Sequence, residues 1–193
     1  MTTFVPLDDP AALEAAAVAL VAGEPIVLPT DTVYGLAALP SSMEALYSLK
    51  GRPESLPIAV LVDSLDQAAS VAAMSGAAGR LARAFWPGPL TIVRPRVDGP
   101  GTLAVRCPDH VFIHLLARRV GPLAVTSANR HGEATPAEAR DAAASLAGDV
   151  ALVIDGGPCH GVASTVVDAT GPQLTIIRAG PITEEQIRAA ALR

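Results

Sequence analysis

Several residue types are scarce in this sequence of 193 residues, and each shortage narrows the possibilities. Two cysteines, Cys107 and Cys159, are too few for a disulfide framework or a four-ligand zinc site. No apolar run approaches the roughly 18 residues that a membrane helix needs. The first ten residues place no basic cluster before an apolar segment, so no signal peptide is predicted. We expect a globular cytoplasmic protein with reduced thiols and no membrane contact.

Basic and aromatic residues are also in short supply. The formal net charge is −5, and aromatic residues make up 3% of the chain. Binding a nucleic-acid backbone needs a surplus of Lys and Arg, and stacking single-stranded bases needs aromatic rings. The composition therefore weighs against a protein whose main task is to hold nucleic acid.

Lysine is the rarest charged residue. Of the fourteen basic residues thirteen are arginine, and Lys50 is the single lysine. In such a chain arginine replaces lysine wherever charge alone matters, so we expect Lys50 to stand where a compact ammonium is needed. A chance survivor on a solvated helix end is the alternative.

Helix and strand signals alternate along the first half of the chain. Helix starts are predicted from N-cap residues and capping-box spacing at Asp9, Ser41, Ser64, Asp109, Thr135 and Thr183. Short strands are predicted at 25–29, 58–62, 90–94, 102–106, 123–126, 150–154, 164–168 and 174–178. The pattern predicts one α/β domain over residues 1–193, with a twisted, mixed parallel and antiparallel sheet flanked by helices and an open ligand crevice.

Polar residues gather where predicted strands and helices end. Residues 29–36 read PTDTVYGL directly after the first predicted strand, which suits a ligand crevice, although an ordinary turn capped by Asp31 is the alternative. Lys50 and Arg52 bracket a glycine at a helix end and can converge on a polyphosphate; a solvated helix terminus is the commoner explanation. Further clusters contain Arg106, Ser127 with Asn129, Ser164 and Arg178. In a chain with 17% charged residues, these clusters together favour one shared crevice.

Other kinds of chemistry receive less support from the sequence. It contains no Walker loop and no GxGxxG fingerprint, so nucleotide binding needs another device. His110 and His114 have the i, i+4 spacing of metal ligands, but without a nearby Glu a half-buried helix face is the better interpretation. Cys159 precedes His160, and sequence neighbours rarely align as nucleophile and base.

Six segments in this order resemble the YrdC-like family, whose members synthesise threonylcarbamoyl-AMP. They are PTDTVYGL at 29–36, KGR at 50–52, WPGPLT at 86–91, AVRCP at 104–108, SAN at 127–129 and STVVD at 164–168. The match runs from about residue 25 to residue 181, and the chain resembles the single-domain short form of the family.

The resemblance implies a nucleotidyltransferase that uses L-threonine, bicarbonate and ATP, with magnesium, and releases threonylcarbamoyl-AMP and pyrophosphate. A tRNA threonylcarbamoyl-transferase complex would then receive the product, and direct contact with tRNA is expected to be weak or transient. By position, the resemblance implies a threonine site formed by Thr32, Arg106, Ser127 and Ser164. It implies a nucleotide site formed by Lys50, Arg52, Thr102, Asn129 and Arg178. Lys50 and Arg52 are also the implied catalytic residues, and Asp31 is a possible metal ligand beside the phosphates.

Two positions depart from the family pattern. Leu56 stands where members often carry Lys or Asn, and Leu61 stands where some place a His near the threonine. Two alternatives stay open: a paralogue of the same fold that binds RNA or ribosomes without making an adenylate, and a related carbamoyl-adenylate enzyme, which in its relatives has additional domains. The acidic composition weighs against the first, and the intact Lys50/Arg52 and Ser127/Asn129 pairs weigh more.

Overall fold

The computed structural model describes residues 2–192, which form one mixed sheet with helices packed on it. The strands are β1 (Thr3–Pro6), β2 (Ile26–Leu28), β3 (Gly35–Ala38), β4 (Ala59–Leu61), β5 (Leu90–Pro95), β6 (Thr102–Arg106), β7 (Leu123–Ser127), β8 (Leu152–Asp155), β9 (Thr165–Asp168) and β10 (Thr175–Arg178). The helices are α1 (Ala12–Val21), α2 (Glu44–Lys50), α3 (Leu65–Val71), α4 (Ala77–Phe85), α5 (Val111–Val120), α6 (Ala139–Ala144) and α7 (Glu184–Ala191).

The sheet order is β1-β8-β2-β3-β7-β4-β6-β5-β9-β10. Four of the neighbouring pairs are parallel, namely β1/β8, β2/β8, β4/β6 and β5/β9. The other five pairs are antiparallel. The α/β class and the mixed sheet predicted from the sequence are therefore confirmed.

All eight predicted strands are present, each within two residues of its predicted ends. The prediction missed β1 and β3. Strand β3 has the sequence GLAA, which is poor in strand-forming residues, but all four residues are buried and the strand pairs on both sides. Its pairing with β2 and β7 outweighs the weak local preference, so residues 29–34 connect two antiparallel strands.

Two of the helix-start predictions are confirmed by side-chain caps. The Thr183 hydroxyl accepts from the Gln186 amide in a full capping box, and the Ser64 hydroxyl accepts from the Gln67 amide. The other four are wrong in detail, because the helices begin after Ala11, Met43, His110 and Glu138, whose side chains form no cap. Asp9 nevertheless binds the start of α1, since its Oδ1 accepts from the Ala11 amide at 2.8 Å. The Thr135 hydroxyl donates instead to Asn129 Oδ1 at 3.0 Å.

Helices cover both faces of the sheet. Along β2, Ile26 and Leu28 belong to the apolar cluster under α1 and α5, whereas Val27 belongs to the cluster under α2 and α6. Because successive side chains of a strand point to opposite faces, these two clusters lie on opposite sides of the sheet. The other strands pack on α4 and α7 around β5 and β9, and on α3 beside β4 and β6. Within residues 2–192, every helix is too short or too polar to cross a membrane.

The connection between β8 and β9 (residues 156–164, the β8–β9 connection) joins two strands that follow one another along the chain but are not neighbours in the sheet. Seven strand spacings of about 4.8 Å separate them, roughly 34 Å in a flat sheet. That distance is close to the greatest reach of a connection of this length. The connection is therefore largely extended and crosses the strands that lie between β8 and β9.

Candidate active site

The segment between β2 and β3 (residues 29–34) is organised by the hydroxyl group of Thr30. Thr30 Oγ1 donates to the Val33 carbonyl at 2.7 Å and accepts from the backbone amides of Thr32 and Val33 at 3.1 and 3.2 Å. Its oxygen lies 3.0 Å from Thr32 Oγ1. Thr30 and Thr32 are both buried. The segment is a rigid turn held by one side chain.

The β8–β9 connection passes directly over this segment. A Cβ atom on Gly161 would lie 2.2 Å from the Thr32 carbonyl oxygen, so a side chain at this position would collide with the backbone. Nearby, the Tyr34 hydroxyl donates to the Gly157 carbonyl at 2.7 Å and accepts from the Gly156 amide at 3.1 Å. Burial raises the pKa of Tyr34 to about 12. The connection is thereby fastened against the candidate site.

Arg106 ends β6 and is almost completely buried, with 5% of its surface exposed. Its Nη2 donates to Asp31 Oδ1 at 2.5 Å, its Nη1 to Thr32 Oγ1 at 3.0 Å and its Nε to the Gly88 carbonyl at 3.0 Å. Burial lowers the pKa of Arg106, and the charge of Asp31 raises it. The guanidinium stays charged, and its charge is balanced by the Asp31 carboxylate.

Lys50 ends α2 and is not the solvated helix end considered as an alternative above, because 2% of its surface is exposed. Gly51 has φ +60°, a conformation that favours glycine, and it turns the chain sharply after the lysine. Lys50 Nζ donates to the carbonyls of Ser127 and Asn129 at 2.6 and 2.7 Å. It also lies 3.4 Å from Ser127 Oγ and 3.2 Å from Asn129 Oδ1.

The four partners of Lys50 are neutral oxygens, so its charge is not compensated by hydrogen-bonded carboxylates. Burial, and then the nearby charge of Arg52, lower the pKa of Lys50 to about 8. Arg52 points away along its own loop and donates to the carbonyls of Leu56 and Pro57 at 3.3 and 3.0 Å. Burial lowers the pKa of Arg52 too. Both cations therefore bring charge to this part of the molecule.

The amide group of Asn129 is fully used inside the protein. Its Nδ2 donates to the carbonyls of Arg130 and Glu133, both at 2.7 Å, and its Oδ1 accepts from Lys50 and Thr135. Asn129 is therefore the centre of a buried network at the end of β7. Its role at the nucleotide stays a prediction.

Ser164 and Arg178 form the third part of the arrangement. Arg178 donates through Nε and Nη2 to the Ser164 carbonyl at 3.0 and 2.9 Å, and through Nη2 to Ser164 Oγ at 3.1 Å. Ser164 Oγ also shares a hydrogen bond of 2.8 Å with Thr91 Oγ1. Strand β5 runs beside β9, so Thr91 in β5 and Ser164 before β9 meet at one edge of the sheet.

The three parts approach each other closely enough for their charges to interact. Burial first, and then the charges of Arg106 and Arg52, lower the pKa of Arg178. Arg52 acts in the same way on Lys50. Four cations are therefore brought toward one region, from α2, the loop after it, β6 and β10.

One predicted site residue, Thr102, lies away from the others. Thr102 begins β6 opposite Pro95, is exposed, and makes no side-chain hydrogen bond within residues 2–192. Four strand residues, about 13 Å, separate it from Arg106. Its role at the nucleotide stays a prediction. Leu61, at the position that departs from the family pattern, is buried in the core under α1 and α5.

Asp31 is held in an ion pair, which leaves it poorly suited to a metal ion. The ion pair with Arg106 is buried, with 12% of the Asp31 side chain exposed. Within residues 2–192, no three His, Cys, Asp or Glu side chains are grouped so that they could hold a metal ion. Asp31 as a metal ligand beside the phosphates therefore stays a prediction.

The thiols are not prepared for nucleophilic catalysis. Burial raises the pKa of both Cys107 and Cys159, so the reactive thiolate is disfavoured. Cys159 Sγ contacts the Thr30 carbonyl oxygen at 3.8 Å, and Cys107 Sγ lies 3.6 Å from His114 Nε2. The low expectation for a Cys159–His160 nucleophile agrees with these contacts.

Sequence reasoning missed several residues that shape the site. Thr30, Thr91 and Thr135 each bind a predicted site residue through a hydroxyl, and Gly161 allows the close approach of two backbones. Thr30 and Thr91 lie inside the quoted motifs and could have been considered. Thr135 was interpreted only as a helix cap, and Gly161 gave no signal because its partner Thr32 is distant in sequence.

Known proteins resemble this chain in sequence and in structure. The family model Sua5_yciO_yrdC, described as Telomere recombination, matches residues 18–180. A Mycobacterium tuberculosis protein provisionally named a threonylcarbamoyl-AMP synthase is 41% identical over 182 residues, which cover 88% of this chain and 84% of that protein. The Bacillus subtilis threonylcarbamoyl-AMP synthase is 36% identical over 204 residues, covering 98% of this chain and 59% of that protein.

A solved structure is similar over nearly the same length. The crystal structure of P. abyssi Sua5 complexed with L-threonine matches with a TM-score of 0.89 and 31% identity, covering 98% of this chain and 60% of that one. This chain thus spans about three fifths of the Bacillus and P. abyssi proteins. The extent and identity of these matches lead to one conclusion: the chain belongs to the Sua5/YciO/YrdC family.

Proposed function

We propose that this protein is a threonylcarbamoyl-AMP synthase, a cytoplasmic nucleotidyltransferase that serves the threonylcarbamoyladenosine modification of tRNA. It joins L-threonine, bicarbonate and ATP, and it releases threonylcarbamoyl-AMP, pyrophosphate and the water that is lost when the amine and bicarbonate form the carbamate. Relatives at 35–41% identity that carry this name support the activity. A tRNA threonylcarbamoyl-transferase complex receives the product, and direct contact with tRNA is weak or transient.

The division of charge in the candidate site is the observation that carries this proposal. Lys50, Arg52 and Arg178 form no ion pair with a carboxylate of residues 2–192, whereas Arg106 is paired with Asp31. A triphosphate has several negative charges and suits the uncompensated cations. L-Threonine is a zwitterion and suits a pair that presents one positive and one negative group. We therefore assign ATP to the first set and threonine to the second.

The residues act by position and charge, with no covalent intermediate on the protein. The carbamate formed from the threonine amine and bicarbonate attacks the α-phosphorus of ATP through its oxygen, and pyrophosphate leaves. Arg52 and Arg178 stabilise the charge that develops on the phosphates. Lys50 adds a third charge and fixes Ser127 and Asn129 at the end of β7.

Lys50 has a further restriction. An ammonium has three hydrogens, and Lys50 already has four oxygen partners within 3.4 Å. It can bind a phosphate oxygen only by giving up one of these partners. The two side-chain oxygens of Ser127 and Asn129 are the longer contacts, and they are the ones that a phosphate replaces.

Magnesium belongs to this proposal only as the companion of ATP. Because Asp31 is paired with Arg106, and residues 2–192 lack a group of three possible ligands, we assign the ion to the phosphate oxygens and derive no step from it.

Product analysis tests the proposal. Purified protein with ATP, magnesium, L-threonine and bicarbonate should release pyrophosphate, and omission of threonine or of bicarbonate should each abolish the release. Carbon from labelled bicarbonate should appear in the carbamoyl group of threonylcarbamoyl-AMP. Release of ADP and inorganic phosphate, or pyrophosphate release without threonine, would contradict the proposal. Tight binding of RNA without adenylate formation would favour the RNA-binding alternative.

A further inference from the structure

The hydrogen-bond partners of Thr30 and Thr32 determine which way the Thr32 hydroxyl can point. The hydrogen of Thr30 Oγ1 is committed to the Val33 carbonyl at 2.7 Å, because a carbonyl can only accept. The 3.0 Å contact between the two hydroxyls can then be a hydrogen bond only if Thr32 donates. The two backbone bonds to Thr30 are the longer ones, as expected when three hydrogens share two lone pairs.

Arg106 uses a second position on the same hydroxyl. A guanidinium can only donate, so Thr32 Oγ1 accepts from Arg106 Nη1 at 3.0 Å. A hydroxyl has one hydrogen and two lone pairs. With the hydrogen directed to Thr30 and one lone pair to Arg106, Thr32 keeps one lone pair for a further partner. That partner must be a donor.

Ser127 shows that the site does not treat all of its hydroxyls alike. Ser127 Oγ has the Lys50 ammonium as its hydrogen-bond partner, at 3.4 Å, and this partner can only donate. The Ser127 hydrogen therefore remains available. Thr32 can offer a ligand an acceptor only, whereas Ser127 can donate.

We propose that Thr30 is a positioning residue that fixes the polarity of Thr32, so that Thr32 accepts a hydrogen bond from an N–H or O–H group of the amino-acid substrate. The inference rests on the proposed function, since it assigns threonine to the Thr32 and Arg106 side of the site. A buried hydroxyl that can only accept discriminates against ligands that lack a donor at that point, because the lone pair is then left unsatisfied.

Substitution of Thr30 separates this role from simple stability. Thr30→Val keeps the shape of the side chain and removes its hydroxyl, which frees the Thr32 hydrogen. We expect the KM for threonine to rise about tenfold, the equivalent of one lost hydrogen bond, while the KM for ATP and the kcat at saturating threonine change little. Thr30→Ser keeps the hydroxyl and should restore the KM for threonine to within about threefold.

Thr183→Val is the matched stability control. Thr183 caps α7 in an exposed capping box, so its loss should lower the melting temperature without changing either KM. Two results would overturn the inference: an unchanged KM for threonine in folded Thr30→Val, or a Thr30→Ser variant that behaves like Thr30→Val. A purely structural role for Thr30 predicts a lower melting temperature and a lower kcat with both KM values intact.

Binding of O-methyl-L-threonine, which keeps an acceptor and lacks the hydroxyl hydrogen, identifies which substrate group is the donor when it is measured with the wild type and with Thr30→Val. Weaker binding than threonine by about tenfold in calorimetry shows that the substrate hydroxyl is the donor. Equal binding, together with weaker binding of both ligands to Thr30→Val, shows that the ammonium is the donor. Equal binding of both ligands to Thr30→Val and to the wild type overturns the inference alone. Failure of the wild type to bind threonine overturns the proposed function as well.

Discussion

Two buried cations hold opposite parts of the candidate site, and the protein holds them in different ways. Arg106 is bound by a carboxylate, a hydroxyl and a carbonyl, so its charge is balanced within the fold. Lys50 is bound by four neutral oxygens, so its charge is not balanced by a negative group within hydrogen-bonding distance. The balanced cation is suited to orient a ligand, and the unbalanced one to attract charge.

The cost of each arrangement explains the difference. A buried unpaired charge is expensive, and proteins keep it only where hydrogen bonds replace water or where function needs it. Burial lowers the pKa of both Lys50 and Arg106, but at Arg106 the Asp31 carboxylate acts against this effect, whereas at Lys50 the charge of Arg52 adds to it. The comparison predicts that removing Lys50 and removing the partner of Arg106 have different consequences for the two substrates.

The largest effect is expected for Lys50→Met. The change removes the uncompensated charge and leaves the carbonyls of Ser127 and Asn129 without a donor. We expect turnover to fall roughly a hundredfold or more, and the free energy of unfolding to fall by about 2–4 kcal/mol. Pyrophosphate release and thermal melting measure the two quantities.

The sequence interpretation of Lys50 as a solvated helix end predicts a different result, with almost no change in stability. Arg188→Met is the control, because Arg188 forms an exposed i, i+4 pair with Glu184 and should contribute well under 1 kcal/mol. A Lys50→Met protein that melts like the control would show that the four contacts of Lys50 contribute little. Lys50→Arg should also lose stability, since a guanidinium is too large for a site enclosed by these oxygens.

A smaller effect is expected for Asp31→Asn, which keeps an acceptor for Arg106 and removes the balancing charge. The buried pair should lose about 1–3 kcal/mol of stability. The KM for threonine should rise about tenfold, because the zwitterion loses its negative partner, while the KM for ATP should stay or fall as the site becomes more positive. Steady-state kinetics with each substrate in turn measure this split.

Asp98→Asn is the matched control for this variant. Asp98 accepts two hydrogen bonds from Arg96 in an exposed pair, so its substitution should leave both KM values unchanged. Equal increases in both KM values for Asp31→Asn would show that the charge balance does not divide the site between the two substrates.

Much of the fold could be predicted from the sequence, because short apolar runs bounded by turn residues mark most of the strands. Strand β3 could not, since its GLAA sequence becomes a strand only by pairing with β2 and β7. Four helices have their N-cap one to three residues beyond the predicted position: Ser41, Asp109 and Thr135 provide no side-chain cap, and the Asp9 carboxylate binds the Ala11 amide just before α1 begins. Local sequence does not reveal that Thr135 binds Asn129 instead.

The site was predicted in composition but not in detail. The sequence favoured a shared crevice for Lys50, Arg52, Arg106 and Arg178, and in the structure the charges of these residues act on one another; their roles stay predictions. The burial of Lys50 could not be read from the sequence, because it depends on the Ser127 and Asn129 carbonyls that bind the ammonium. The pairing of Asp31 with Arg106 joins residues 75 positions apart, and such pairs are not visible in local patterns.

A shift of the pH profile is the next smaller effect. The pKa of Lys50 is lowered to about 8, so the folded state loses this proton below the ordinary pKa of 10.5. Between these values the unfolded chain holds the proton and the folded chain does not, so this residue favours folding more as pH rises. Turnover should move in the opposite direction and fall as pH rises through about 8. Arg52→Gln removes a charge that lowers the pKa of Lys50, so the alkaline limb should move to higher pH; an unmoved limb would assign it to another group.

The smallest expected effect is that of magnesium on the protein without nucleotide. If Asp31 were a metal ligand, a site with a Kd tenfold below the magnesium concentration would stabilise the fold by about 1.4 kcal/mol. For a chain of this size that amounts to roughly 3–6 °C in melting temperature. Because Asp31 is bound to Arg106 and residues 2–192 lack a group of three possible ligands, we expect no shift from magnesium or from EDTA alone. Magnesium with ATP should raise the melting temperature, and EDTA should abolish pyrophosphate release. A shift with magnesium alone would show that Asp31 leaves Arg106 for the ion. Arg106 would then resemble Lys50, because neither would be paired with a carboxylate.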